Sequence, residues 1–133
     1  MSTGFSGWLT LCSSKLQTIS DKKMKQSPES IVLLTTAPNS EVADQLAKHL
    51  IESRLAACVN IVPNVRSFYS WQGKIECDEE FQLVVKSTEQ RLEQLEQAVK
   101  KLHPYEVPEL VVLPMLAISD DYLNWLKKSV ESC

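Results

Sequence analysis

Glycine is scarce in this 133-residue chain, with Gly4, Gly7 and Gly73 its three representatives. A phosphate-cradling loop or a dinucleotide turn needs clustered glycines, so that bare backbone N–H groups can approach phosphate; both are excluded. Gly4-Phe5-Ser6-Gly7 lacks the spacing of a Gly-x-Ser-x-Gly nucleophile elbow. Cysteine is sparse too: Cys12, Cys58, Cys77 and Cys133 lie far apart without a C-x-x-C pair. That pattern reads as reduced thiols in a cytoplasmic protein rather than a disulfide framework or a zinc ribbon. Positive charge is short, with 14 Lys and Arg against 17 Asp and Glu and a net charge of −3. A generic nucleic-acid binder needs a basic footprint, so no nucleic-acid partner is expected. No apolar run approaches the ~20 residues of a membrane span, and no membrane partner is expected either. No Cys–His or Ser–His–Asp set can be assembled by local spacing, which leaves no catalytic residue to name and no enzyme to expect.

What is present is ordinary for one globular domain: 44% apolar and 23% charged residues. The start of the chain differs from the rest. Eight of the first twenty residues are Ser or Thr, and no acidic residue precedes Asp21. This composition predicts a disordered tail over residues 1–27 and a single folded domain over 28–133.

Ile31 to Ala37 is a continuous apolar and β-branched run, suited to a strand buried on both faces. Pro38 ends it, and Asn39 or Ser40 can cap a helix whose stripe is Val42, Ala43, Leu46, Ala47, Leu50 and Ile51. Ala57 to Val62 reads as a strand, broken at Pro63-Asn64 and resumed from Val65 to Trp71; the break predicts a bulge or an edge position. Gln72-Gly73 is the turn into Lys74–Lys86, where Ile75, Cys77, Phe81, Leu83 and Val85 alternate with polar residues. The turn fits loops of two or three residues, so the register stays open. Ser87-Thr88-Glu89-Gln90 resembles a capping box for a helix with Leu92, Leu95, Val99 and Leu102 on one face, closed by His103-Pro104. Leu110 to Met115 predicts another buried strand, and Ser119-Asp120 a cap for a last helix with Tyr122, Leu123, Leu126 and Val130 turned inward.

Strand, helix, strand, strand, helix, strand, helix is the order of an α+β, ferredoxin-like split βαβ fold with a long β-hairpin and an extra C-terminal helix. The hairpin exceeds the usual ~5–6 residues per strand and should project beyond the sheet with Tyr69 and Trp71 near its tip. A projecting aromatic edge predicts an oligomer interface.

The densest polar constellation is His103-Pro104-Tyr105-Glu106-Val107-Pro108-Glu109. Its prolines stiffen a stretch offering an imidazole, a phenol and carboxylates for a cation or for proton transfer. The competing reading places His103 against the negative end of the preceding helix. Glu76, Asp78 and Glu80 share one strand face, either as cation ligands or as a charged edge that blocks pairing. Cys58 is either an inert core thiol or a soft-metal ligand, and Tyr122 and Trp125 read as packing residues.

Thr35-Thr36-Ala37-Pro38, Leu55-Ala56-Ala57-Cys58-Val59-Asn60-Ile61, Ser67-Phe68-Tyr69-Ser70-Trp71-Gln72-Gly73-Lys74, His103-Pro104-Tyr105-Glu106-Val107-Pro108-Glu109 and Tyr122-Leu123-Asn124-Trp125-Leu126 together resemble the CutA divalent-cation tolerance proteins. The resemblance runs from about Ile31 to Val130. It implies a homotrimer similar in outline to the PII signalling proteins, with long hairpins pairing between subunits, and a link to tolerance of copper and other divalent metals. It implies a ligand cleft between subunits formed by Tyr69, Trp71, Lys74, Glu80, Lys86, Tyr105, Glu109, Tyr122 and Trp125. Some bacterial relatives carry Cys where this chain has Thr35 and a second His where it has Leu102, the donors a copper site takes. Here His103 and Cys58 are the strong metal ligands that remain. Two functions follow as expectations: a trimer binding divalent cations in that cleft, or a PII-like sensor binding a small anionic metabolite there through Lys74 and Lys86.

Overall fold

The computed structural model describes residues 25–131, with side chains from Glu29 onward. The predicted tail lies outside the described residues as far as position 24, and its last positions, 25–27, already belong to the first strand. β1 (Lys25–Ala37) is central, because Ile31, Leu33 and Ala37 can be buried only with paired backbone on both sides. It pairs antiparallel with β3 (Lys74–Thr88) from Ser30↔Thr88 to Ala37↔Phe81, and with β4 (Val111–Ile118) through Leu33↔Val112 and Leu34↔Val111. β2 (Cys58–Trp71) pairs with β3 and forms one edge, giving the order β2-β3-β1-β4. Because β1 stops at Ala37, opposite Phe81, the stretches Val65–Trp71 and Lys74–Glu80 run on as a free hairpin.

Helices cover one face. α1 (Ser40–Glu52) is capped by Asn39, whose side chain accepts the Val42 amide at 2.9 Å. α2 (Leu92–Leu102) lies beside it, and Leu46, Leu50 and Leu95 close over Leu33, Leu83 and Val85. The opposite face carries Val32, Leu34, Val84, Val62, Val111 and Leu113, all exposed or half-exposed. The expected two-sided burial of the first and last strands is therefore only half met. β4 is an edge strand with Leu113 and Leu116 open to solvent, which is also why it tolerates Pro114.

The β2 break is a bulge: Val62↔Gln82 is followed by Val65↔Glu80, with Asn64 at φ 62°. The hairpin closes in two residues, since Trp71 pairs with Lys74 and both Gln72 (φ 52°) and Gly73 (φ 78°) lie in the left-handed region. Those angles match a tight turn twisted like the strands it joins. The capping box is not made. Ser87 is buried in β3 and donates its hydroxyl to the Leu55 carbonyl at 2.6 Å. A 3₁₀ turn (Glu89–Arg91) without a side-chain cap leads into α2 instead. The last helix, α3 (Asp120–Ser129), starts at Ser119 as expected and buries Leu123 and Leu126, but its Tyr122 points outward. Arg54 Nε and Nη2 donate to the Glu131 and Lys128 carbonyls at 2.8 and 2.7 Å, and Arg91 Nε donates to the Val130 carbonyl at 2.8 Å. These bonds satisfy the orphan carbonyls of the helix end and fix α3 to the Thr88 end of the sheet.

Candidate functional site

Strand alternation builds one side of the free hairpin. Trp71, Tyr69, Ser67 and Val65 stand opposite Lys74, Glu76, Asp78 and Glu80, so all eight share a face. Tyr69 donates its phenolic proton to Asp78. That bond, followed by partial burial and the Asp78 charge, pushes the Tyr69 pKa up to about 12. Tyr105, carried by the loop after α2, reaches the same face and donates to Glu80 at 3.3 Å. Its phenol is also raised, by burial first and then by the Glu80 charge. Glu109 meets the Gln82 side-chain amide at 3.4 Å, and that amide donates to the Thr35 carbonyl at 2.8 Å. The loop is thus attached where β1 ends and the hairpin begins.

Six of the predicted cleft residues lie on this face, spread over about 20 Å from Lys74 at the turn to Glu80 at the bulge: Tyr69, Trp71, Lys74, Glu80, Tyr105 and Glu109. The other three do not. Lys86 is six residues along β3 from Glu80, about 20 Å at the rise of a strand, and faces Cys58 and Val32 on the open side of the sheet. Tyr122 and Trp125 stack on each other, ring centroids 5.3 Å apart, on α3 at the far end. Their expected packing role holds only for that mutual contact, because both are substantially exposed.

The structure does not bring the expected metal pair, His103 and Cys58, together within one subunit. His103 is 7% exposed and both its ring nitrogens are engaged: Nε2 lies 2.6 Å from the Thr36 carbonyl, and Nδ1 accepts the Tyr105 amide at 3.1 Å. Neither nitrogen has a lone pair to give a metal without breaking a buried bond. Cys58 is not a core thiol; it is half-exposed on the open sheet face. Its strand position is about four residues, or 13 Å, from the level of His103. Thr35 stands buried with its hydroxyl unpartnered, and that hydroxyl is not a soft donor. The soft donor set of a copper site therefore does not form within one subunit. Among the described residues no group of three or more His, Cys, Asp or Glu is arranged to hold a metal ion. Glu76, Asp78 and Glu80 recur every about 7 Å along their strand, too far apart to chelate one ion unaided.

Asp78, Glu76 and Gln82 were not among the predicted cleft residues, yet Asp78 and Gln82 link its parts and Glu76 stands opposite Tyr69. The alternation of carboxylates at every second residue was the available signal for the first two. A polar cavity of about 560 Å³ lies at the other end of the sheet, lined by Glu29, Thr88, Arg91, Lys127 and Glu131. It contains none of the predicted site residues. Among the described residues no helix is long and apolar enough to cross a membrane.

A four-stranded antiparallel sheet in the order β2-β3-β1-β4, two helices on one face and an overlong hairpin define a ferredoxin-like α+β protein with an acidic, aromatic hairpin face. Residues 31–129 match the sequence profile of the CutA1 divalent ion tolerance protein family. The chain belongs to that family. It is 50% identical over 98 residues to the divalent-cation tolerance protein CutA of Thermus thermophilus, covering 74% of this chain and 95% of that one. It is 45% identical over 103 residues to the chloroplastic CutA protein of Arabidopsis thaliana, covering 77% of this chain and 57% of that longer one. The crystal structure of CutA1 from Oryza sativa superposes with a TM-score of 0.76 at 44% identity, covering 79% of this chain and 96% of that one.

Proposed function

We propose that this protein acts in the cytoplasm as a homotrimer in divalent-cation tolerance, without catalysing a reaction, and takes its cation weakly through carboxylate oxygens in a cleft completed between subunits. The observation that carries the reading is the division of the cleft residues. Tyr69, Trp71, Lys74, Glu80, Tyr105 and Glu109 lie along the hairpin, while Lys86, Tyr122 and Trp125 lie toward the opposite end of the sheet. A second copy laid against the hairpin brings the two groups together. Val32, Leu34, Val84 and Leu113 on the open sheet face supply the apolar area such an association needs. The donors of the hairpin face are oxygens, which favour hard divalent ions over copper.

Titration calorimetry of the purified oligomer with Zn(II), Mg(II) and Cu(II) tests the cation. The expected result is weak binding of Zn(II) or Mg(II) that is lost when Glu80→Gln and Glu109→Gln are combined. Absence of binding, or binding indifferent to both changes, overturns it. Heat from a small anionic metabolite, lost in Lys74→Ala, would favour the metabolite sensor instead. Light scattering tests the assembly: a trimer is expected, reduced to monomer or aggregate by Trp71→Asp, and an unchanged trimer in that variant removes the hairpin from the interface.

A further inference from the structure

His103 is the most buried ionisable side chain near the hairpin face, and it has no part in the proposed cation chemistry as a donor. Its two contacts assign its tautomer. The Thr36 carbonyl only accepts, so Nε2 carries the proton; the Tyr105 N–H only donates, so Nδ1 is bare. The ring also packs tilted against the Tyr105 ring, with centroids 4.8 Å apart. Tyr105 is thereby held twice, by its amide and by its ring, on a side chain that is itself bonded to β1.

We infer that His103 is a positioning residue of the hairpin face and not a metal ligand: anchored on the Thr36 carbonyl, it holds the Tyr105 backbone so that the phenol of Tyr105 reaches Glu80. The inference rests on the cation reading of that face for its purpose, but its geometry stands apart from it. Thr36 lies one residue before the end of β1, which is the last rigid point before the loop crosses to the hairpin. Pro104 and Pro108 restrict the backbone of the loop, while the hydrogen bond from Tyr105 to Nδ1 selects one of the arrangements left to it. A carboxylate that accepts a phenolic O–H has one oxygen direction fixed, which leaves the other oriented for a ligand.

The test uses the full-length protein with ¹⁵N-labelled histidine. Imidazole resonances of His103 are expected in the Nε2–H pattern, unmoved by saturating Zn(II). Hydrogen exchange then reads the Tyr105 amide directly. His103→Asn can still accept that amide through its side-chain oxygen but cannot reach the Thr36 carbonyl, and should lose less protection than a variant with no acceptor. His103→Phe has no acceptor, and should speed exchange by about two- to tenfold, the loss of one hydrogen bond. The smaller loss in the Asn variant separates positioning from general loosening of a buried site. An Nδ1–H pattern, a Zn(II)-dependent shift of either ring nitrogen, or a Tyr105 amide equally protected in His103→Phe overturns the inference. Failure of wild-type protein to bind Zn(II) in calorimetry would overturn the cation reading while leaving these readouts intact.

Discussion

Tyr69 and Asp78 are joined diagonally across the hairpin: the phenol sits on the rung of Glu76 and reaches one rung further to the carboxylate of Asp78. An exposed hairpin with no core beneath it is tied by this bond at its middle, between the two-residue turn and the bulge. The pair also gives the protein a marker at alkaline pH. Tyr69 is pushed from 10.0 to about 12 in the folded chain. Below pH 10 the phenol is protonated in folded and unfolded chains alike, and the bond contributes fully. Between pH 10 and 12 the unfolded chain releases the proton and the folded chain keeps it, so stability falls as pH rises through that window. Urea midpoints measured from pH 9 to 12 should show this decline, and Tyr69→Phe should flatten it; an equal slope in both proteins would remove Tyr69 as its source.

Thr35 offers a gain. Its hydroxyl is fully buried and has no hydrogen-bond partner. Thr35→Val keeps the shape and removes the stranded dipole, and should raise stability by about 1 kcal/mol. A chemical denaturation curve decides it, and a lower midpoint would mean that the hydroxyl is satisfied in solution.

Ser87 should behave in the opposite sense. Ser87→Ala removes the donor to the Leu55 carbonyl and strands that carbonyl in the interior, at a cost of about 1–3 kcal/mol. The hydroxyl thus joins the end of β3 to the segment between α1 and β2. Stability unchanged within experimental error would show that water replaces the bond.

Arg54 holds the last helix from a strained position, with φ at 57° and two guanidinium bonds to helix-end carbonyls. Arg54→Ala keeps the strain and loses both bonds, and should cost about 1–2 kcal/mol. Arg54→Gly loses the bonds but relieves the backbone, so it should be the milder change. Comparing the two unfolding free energies tests both halves of the argument. Gly worse than Ala would refute the strain.

Local pattern in the sequence was enough for the strand and helix order, the Pro63-Asn64 bulge and the projecting hairpin, because each has its cause within a few residues. Partners distant in sequence were not legible. His103 finds its carbonyl at Thr36, 67 positions away, and helix periodicity carries no information about that meeting. Ser87 looked like a cap because a serine three residues before Gln90 fits that motif, yet its hydroxyl is taken by Leu55 across the fold. Tyr122 is an aromatic neighbour of Leu123, one helical step before Leu126, so the pattern sets it inside; which of two adjacent directions faces the core depends on how α3 docks, and Arg54 and Arg91 set that from outside the helix. Of the cleft, residue types were readable, but their division between two ends of the sheet follows from the length of β3 and needed coordinates.

The bulge at Pro63-Asn64 has a consequence for the hairpin beyond it. Before it, even-numbered residues of β2 share a side with even-numbered residues of β3; after it, odd-numbered ones do. One supernumerary residue therefore acts on the hairpin as a frameshift acts on a reading frame. Pairing all of β2 in the register it has before the bulge would turn Tyr69 and Trp71 to the side of Cys77 and Ile75 and bring Phe68 over the carboxylates, whereas deleting Asn64 would remove the supernumerary residue and leave Tyr69 opposite Glu76. The hairpin face thus depends on the bulge absorbing its extra residue at this point, and its chemistry on the register of the strand as much as on the kinds of residue it carries.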